Sequence, residues 1–428
     1  MTSTMAGHFI ATSSSDPFAS TSTVKMGRPS GLTSPSSTSK PIPPTSTQTS
    51  KLMPSQYAGM AGRSVVCPFC YTQVRAKAGD PCPNMSCYSH RRGIPLPDKV
   101  FSHELFSIAI VGAASSGKSH YLAALKHSLV NESFWGGGDK RGGYWNWSFV
   151  HYANPANKNN ESVDNPYVRY EERLYEDYFT LDSTKRDDEH PPLLLSLEYL
   201  HPIARMFDEP RFRKKSLLVA ITDTAGEHSH SESVGALEEN YPVLKKLIKG
   251  VIVMLDPKEL HSASAANVVL SWFKGKREKS DLPVALCISK IDELSRNRES
   301  YPANWDWLDA KNSNTDLSVP GRLILPDIER NSLAVRRWMS GNAMHSTAQN
   351  VESSFRYHAF FASSALGVEP FKLDKDGAPS RDVYTGATLL NGDPKPLRVL
   401  DPLLWILWQH GKLGGLDKIS SRANGGVA

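Results

Sequence analysis

The chain has 428 residues, enough for roughly two to three domains, and a formal charge of +5 with a pI ≈ 8.8. The excess is local. Residues 1–60 carry Lys25, Arg28, Lys40 and Lys51 against Asp16, residues 61–100 carry Arg63, Arg75, Lys77, Arg91, Arg92 and Lys99 against Asp80 and Asp98, and the rest of the chain sums to −2. That distribution excludes a nucleic-acid-binding surface over the bulk of the chain. No run of about 18 apolar residues offers a transmembrane helix, and 5 cysteines make no disulfide scaffold.

Ser, Thr and Pro fill 29 of the first 50 positions. A segment that polar lacks the apolar surface to offset its ordering entropy, so residues 1–60 are expected to be a disordered tail. A mitochondrial transit peptide is the alternative, being Ser-rich and acid-poor, but it needs repeated arginines and only Arg28 is present. The start, MTSTMAGHFIATSSS, lacks the basic-then-apolar layout of a secretory signal, and a cytoplasmic location with no membrane partner is expected.

Residues 61–100 read as a small metal module. Cys67-Pro-Phe-Cys70 and Cys82-Pro-Asn-Met-Ser-Cys87 place two cysteine pairs on tight Pro-containing knuckles, a zinc-ribbon spacing that can close a tetrahedral thiolate shell around structural Zn²⁺. The module is too small for a core of its own, so metal would provide its folding energy. Disulfides are the alternative and conflict with a cytoplasmic location, and a redox role for CPFC would need a thioredoxin-like context that is missing. His90 is a second choice for the Cys87 position. Ribbons of this kind can touch nucleic acid, and the basic residues here leave that open. Cys287 falls inside an apolar run and reads as a small core residue.

From 101 to 366 short β-branched runs alternate with helix-length stretches. The strands are read at 106–112, 193–200, 216–223, 250–256, 282–289 and 357–364, with helices over Lys118–Leu129, Val234–Ile248 and Asn267–Lys276. Such alternation predicts an α/β domain with a mostly parallel sheet and flanking helices. Between Leu129 and Thr180 lies a stretch rich in Gly, Asn, Trp and Tyr, read as an insertion whose aromatics pack. Residues 367–428 divide into a polar loop to Pro396, then a helix over Pro402–Gln409 that packs on the domain. Asp401 is expected as its N-cap and Gly411 as its stop, with a frayed end beyond.

The run Gly112-Ala-Ala-Ser115-Ser116-Gly117-Lys118-Ser119 is a complete G-x-x-x-x-G-K-[ST] between a strand and a helix. Its glycines let backbone N–H groups curl around phosphates, Lys118 reaches the β- and γ-phosphates, and the Ser119 hydroxyl ligates Mg²⁺. Three downstream segments choose the nucleotide. Asp223-Thr-Ala-Gly226 is a D-x-x-G, with a carboxylate for Mg²⁺ and a glycine N–H for the γ-phosphate. Ser289-Lys290-Ile291-Asp292 has the form [N/T]-K-x-D with Ser first, and its aspartate can accept two guanine N–H groups that adenine does not offer. Ser364-Ala365-Leu366 follows the last strand and resembles the S-A-[KL] loop whose backbone N–H meets the guanine O6.

In that order, each at a strand end, the four segments resemble the GTPase domain of the Ras-like, translation-factor-related branch of P-loop proteins, over roughly residues 101–366. With the cysteine knuckles and PLRVLDPLLWIL the chain more narrowly resembles bacterial double-GTPase proteins, thought to act with a second GTPase in conflict or defence systems. The resemblance implies GTP/GDP and Mg²⁺ as cofactors and a protein partner, either a second GTPase or an activating protein. It also implies a switch-I threonine ligating Mg²⁺. Thr180 and Thr184 are the candidates, and Thr184 is preferred because it lies nearer the strand at 193. Glu227 stands where such GTPases often carry a water-orienting Gln, and its charge faces the γ-phosphate, so slow intrinsic hydrolysis stimulated by a partner is expected. His228 beside it reads as an exposed switch residue. Ser289 in place of Asn or Thr shortens the tether to the phosphate loop. A GTP-binding scaffold without hydrolysis and a P-loop ATPase are the other readings.

Overall fold

The computed structural model describes residues 62–113, 115–131, 144–152, 165–181, 191–200, 216–223, 244–258, 266–267, 270–274, 278–292, 325–341, 344–368, 374–376, 380–381 and 387–413. All of them fall within one compact unit. The predicted tail at 1–60 and the frayed end lie outside these residues.

An antiparallel hairpin of β1 (Arg63–Val66) and β2 (Gln73–Ala76) opens the described chain, followed by the short helices α1 (Tyr88–Arg92) and α2 (Lys99–Ser102). The main sheet then begins with β3 (Glu104–Gly112), and α3 (Lys118–Asn131) leaves its end. Next come β4 (Tyr144–Phe149) and α4 (Pro166–Tyr175), the latter started by Pro166 and capped by Asn165, whose side chain accepts the Tyr167 N–H at 3.2 Å. After β5 (Leu193–Leu200) and β6 (Leu217–Asp223), a single turn α5 (Leu244–Leu247) runs into β7 (Ile248–Leu255). The chain continues through β8 (Val284–Ile288), α6 (Leu325–Ser340), α7 (His345–Ser354) and β9 (His358–Ala362) to α8 (Asp401–Gln409).

Seven strands form one sheet in the order β4-β5-β6-β3-β7-β8-β9. From β6 to β9 neighbours run parallel, and β4–β5 and β5–β6 are antiparallel. The central strands β6, β3, β7 and β8 are buried almost end to end, which is why they read as continuous Val/Ile/Leu runs rather than alternating ones. On one face Ile108 and Ile110 meet Tyr121, Leu122 and Leu125 of α3 and Leu403, Ile406 and Leu407 of α8. On the other, Val111, Val253 and Leu286 meet Val335 and Met339 of α6 and Val351 of α7. Over β5 and β6 that second face is covered by Ile94, Val100, Phe69 and Tyr88 from the cysteine segment, packed on Leu194, Leu218 and Ala220.

Two expectations needed correction. The helix read over Val234–Ile248 stops at Leu247, because Ile248 already pairs with Ser107 of β3; residues 234–243 lie outside the described set. Asp401 is not the N-cap of the last helix. Leu400 occupies that position without a side-chain cap, and Asp401 is the first helical residue, its carboxylate 2.5 Å from the Arg398 guanidinium with both side chains buried. Gly411 does stop the helix, at φ 60, with the Gly411 and Lys412 N–H groups bonded to the carbonyls of Trp408 and Leu407. Among the described residues no helix is long and apolar enough to cross a membrane.

Gly250 is the point where α8 rests on β7. A Cβ there would stand 2.4 Å from Cγ2 of the fully buried Ile406. Gly250→Ala is therefore expected to destabilise the fold by about 1–3 kcal/mol, the usual cost of overpacking. A thermal melt checks this, and an unchanged midpoint would contradict the seating of α8.

Candidate functional site

The parallel strands all deliver their C-terminal ends to one edge. In register, Ile110 lies opposite Asp223, Gly112 opposite Met254, Leu255 opposite Ile288, and Ile288 opposite Ala362. The loops leaving β3, β6, β7, β8 and β9 are therefore neighbours, although they span 250 positions of sequence in the numbering from Gly112 to Ala362. Because β6 and β7 flank β3 on opposite sides, the end of β3 is the position at which open α/β sheets take their ligands.

The glycine-rich loop occupies that position. Gly112 has no room for a side chain: a Cβ would meet the Met254 carbonyl oxygen at 2.6 Å and Ser116 Oγ at 2.7 Å. Ser115 and Gly117 take positive φ of 61 and 85, turning the backbone tightly into α3. Lys118 is 8% exposed and its ammonium donates to the carbonyls of Gly112 and Ala113 at 3.1 Å each. Burial pulls its pKa down, opposed by the charge of Asp223, which sits buried at the end of β6. Ser116 Oγ is wholly buried and finds no hydrogen-bond partner among the described residues. Ser119, half-buried, begins the first turn of α3 beside Lys118.

The two segments read as base-contacting meet each other. Ser364 Oγ donates to Asp292 Oδ1 at 2.5 Å and accepts the Gly367 N–H at 2.8 Å. Ser289 is buried and bonds the Leu255 carbonyl through both its N–H, at 2.8 Å, and its hydroxyl, at 3.0 Å. Lys290, at φ 52, lays its stem over the glycine-rich loop, its Cε 3.9 Å from where a Gly117 Cβ would stand. Ala365 lies half-buried beside Ser364.

Sequence reasoning passed over Asp256, the residue that ends β7. Its Oδ2 lies 2.7 Å from Lys290 Nζ and its Oδ1 accepts the Lys258 N–H at 2.9 Å, so it fixes the lysine whose stem crosses the glycine-rich loop. A strand-terminal Asp followed by Pro was the available signal. Thr180, one of the two switch-I candidates, is engaged elsewhere: its Oγ1 accepts the Thr388 N–H at 3.0 Å and its own N–H bonds the Thr388 carbonyl at 2.9 Å. Thr184, Gly226, Glu227 and His228 lie outside the described residues. The antiparallel run of β5 puts Leu193 opposite Ile221, near the Asp223 end of β6. Residues 191 and 192 therefore enter the sheet on the edge that carries the glycine-rich loop.

The four cysteines form a second site. The Sγ atoms of Cys67, Cys70, Cys82 and Cys87 all lie within 4.8 Å of one another, so they could share one metal ion. Cys67–Cys87 and Cys70–Cys82 are each 3.8 Å apart, well beyond the roughly 2.05 Å of a disulfide bond. The alternative of paired disulfides is thus not what the fold holds. Crowding splits the titrations: Cys67 is pushed up, chiefly by the Cys70 thiol, and Cys70 is pushed down, chiefly by Cys67. His90 is turned away, its Nδ1 2.8 Å from the Cys82 carbonyl oxygen. Cys287 is a core thiol as expected, its pKa pushed up to about 12 by burial.

No protein-family model matches the chain, and no curated protein matches it.

Proposed function

We propose that this chain is a GTP-binding, slowly hydrolysing switch with a structural zinc ribbon. The observation that carries the reading is the meeting of three separately recognised segments and Asp223 at one sheet edge, with Lys290 lying across Gly117 and Ser364 holding Asp292. In support, the buried Ser116 hydroxyl and the Lys118 ammonium, now bonded to carbonyls of its own loop, are donors a phosphate chain would use. Lys118 would exchange those carbonyls for phosphate oxygens and stabilise the charge that develops on hydrolysis. Mg²⁺, when bound, neutralises phosphate charge; Ser119, Asp223 and Thr184 are the residues proposed to hold it. Asp292 would accept two guanine N–H groups, while Ser364 and Ala365 frame the O6 side. Glu227 is assigned to the attacking water as a poor substitute for Gln, which leaves acceleration to a protein partner, either a second GTPase or an activating protein.

For the cysteines, a Zn–S bond of about 2.3 Å in a tetrahedron places neighbouring sulfurs roughly 3.8 Å apart. Two of the sulfur pairs stand at 3.8 Å, which fits that ion.

Asp292→Asn is expected to weaken GTP by roughly 10- to 100-fold, the loss of a charge-assisted bidentate contact, and to admit xanthosine nucleotides. Fluorescent-nucleotide titrations with GTP, xanthosine triphosphate and ATP measure it. Parent-like GTP affinity in the variant would sink the base assignment, and an ATP preference in the parent would favour the ATPase reading. Because Glu227 replaces Gln, a scaffold without hydrolysis is the second reading. Phosphate release that stays at background with partners added would select it.

A further inference from the structure

The chain leaving β7, β8 and β9 is tied into one block. The Leu255 carbonyl accepts both the N–H and the hydroxyl of Ser289, at 2.8 and 3.0 Å. The Ser363 N–H bonds the Ile288 carbonyl at 2.8 Å, and the Ile291 N–H returns to the Ser363 carbonyl at 3.3 Å. Ser364 Oγ then holds Asp292. From this block the Lys290 side chain crosses to the loop that leaves β3, where its Cε stands over Gly117.

Asp256 sets the end point of that crossing. The Lys258 N–H fixes its Oδ1 at 2.9 Å, which leaves Oδ2 aimed at Lys290 Nζ, 2.7 Å away. The aspartate side chain is 4% exposed and the lysine 32%. A carboxylate so far from water needs a cation or strong donors beside it, so the ammonium is drawn in to β7 and its stem is laid across the glycine-rich loop. The φ of 52 at Lys290, a region a side chain seldom enters, persists because its surroundings hold it.

We propose that Asp256 is a positioning residue that, through Lys290, latches the glycine-rich loop to the β7–β9 block and so sets how long a bound nucleotide stays. The proposal rests on the GTP-binding reading above, in which the glycine-rich loop takes the phosphates and Asp292 takes the base. A nucleotide held at both ends leaves when those two contacts come apart, and a latch between them slows that step. Rigid presentation of a site shows chiefly in the rate of release. Base choice is independent of the latch, because Asp292 is held by Ser364. Diphosphate and triphosphate are affected alike, because both lie in the same loop.

The test uses the full chain and the variants Asp256→Asn, Lys290→Met and the two combined. Asparagine keeps the shape and an oxygen for the Lys258 N–H, and methionine keeps a stem without its charge. Release of fluorescent GDP and of a fluorescent non-hydrolysable GTP analogue is followed by stopped flow after a chase with unlabelled nucleotide. Asp256→Asn is expected to speed both releases roughly tenfold, the lower end for a charge-assisted bond because the lysine is partly exposed. Its preference for GTP over xanthosine triphosphate should stay that of the parent. Adding Asp256→Asn to Lys290→Met should change release by less than about twofold, since the group it acts through is already gone. Parent-like release, a full additional effect in the methionine background, or an altered base preference overturns the proposal. If Lys290→Met does not fold, the Asp256→Asn release rates and base preference decide. Amide exchange over residues 115–118, measured without nucleotide, should quicken in Asp256→Asn, and constancy removes the latch. A parent chain that binds neither nucleotide sinks the GTP-binding reading and the residence claim with it, while the exchange result still decides whether Asp256 holds the loop.

Discussion

Replacing Lys118 with alanine is expected to cost at least about 100-fold in nucleotide affinity while leaving the melting temperature close to that of the parent. The affinity loss follows from removing charge-assisted hydrogen bonds to phosphate, worth about 1.5–3 kcal/mol each. The neutral effect on folding follows from where the ammonium now sits. It is desolvated, its pKa is pulled down by burial, and its described bonds go to two neutral carbonyls. Truncation removes those bonds and the burdened charge together. Isothermal titration with GDP and GTP and a thermal melt read the two effects separately. Retained affinity would show that the loop cradles no phosphate. A collapsed melting temperature would show that Lys118 is a structural strut.

The larger effect on stability is expected from the cysteine site. Metal analysis should find one zinc per chain, and chelation or Cys67→Ser should lower the melting temperature by more than about 10 °C. Structural zinc contributes apparent binding energies of about 10–16 kcal/mol in isolated fingers. Here the thiols of Cys67 and Cys87 are buried together, and removing one leaves the others crowded without an ion to neutralise them. A chain that purifies without metal and melts unchanged as Cys67→Ser would refute the assignment.

The strands of the sheet were legible because burial on both faces writes itself as uninterrupted Val, Ile and Leu. The 193–200 run appears with the bounds read from the sequence, and the run read from 106 begins two residues earlier, at Glu104. The glycine-rich loop was legible because its pattern is local: Gly112, Gly117 and Lys118 fall within one short run, and close approach of backbone leaves no alternative to glycine at 112. Contacts between distant segments left no such trace. Nothing in the sequence around Asp256 points to Lys290, or around His120 to Leu181, since each pair is made by topology and not by periodicity. The stretch read as a polar loop from Gly367 shows the same limit. Ala387 and Leu390 are buried, Thr388 is hydrogen-bonded to Thr180, and Leu397 pairs with Ser364. Its polarity described composition correctly but not the bonds that Thr388 and Leu397 make to Thr180 and Ser364. Leu247 and Ile248 continue a helical pattern as well as they begin a strand, and the pairing of Ile248 with Ser107 decides between them.

The cysteine segment also reaches the sheet through Tyr71, the residue after Cys70. It sits at φ 59, is 5% exposed, and its hydroxyl shares a hydrogen bond with Thr222, the neighbour of Asp223. A cut at residue 101 would therefore not release a smaller self-contained α/β domain. It would strip the roof from Leu194, Leu218 and Ala220 and the prop from beside Asp223. Any transplant of this sheet into another protein has to carry residues 62–100 with it, as inherited masonry rather than as an attachment.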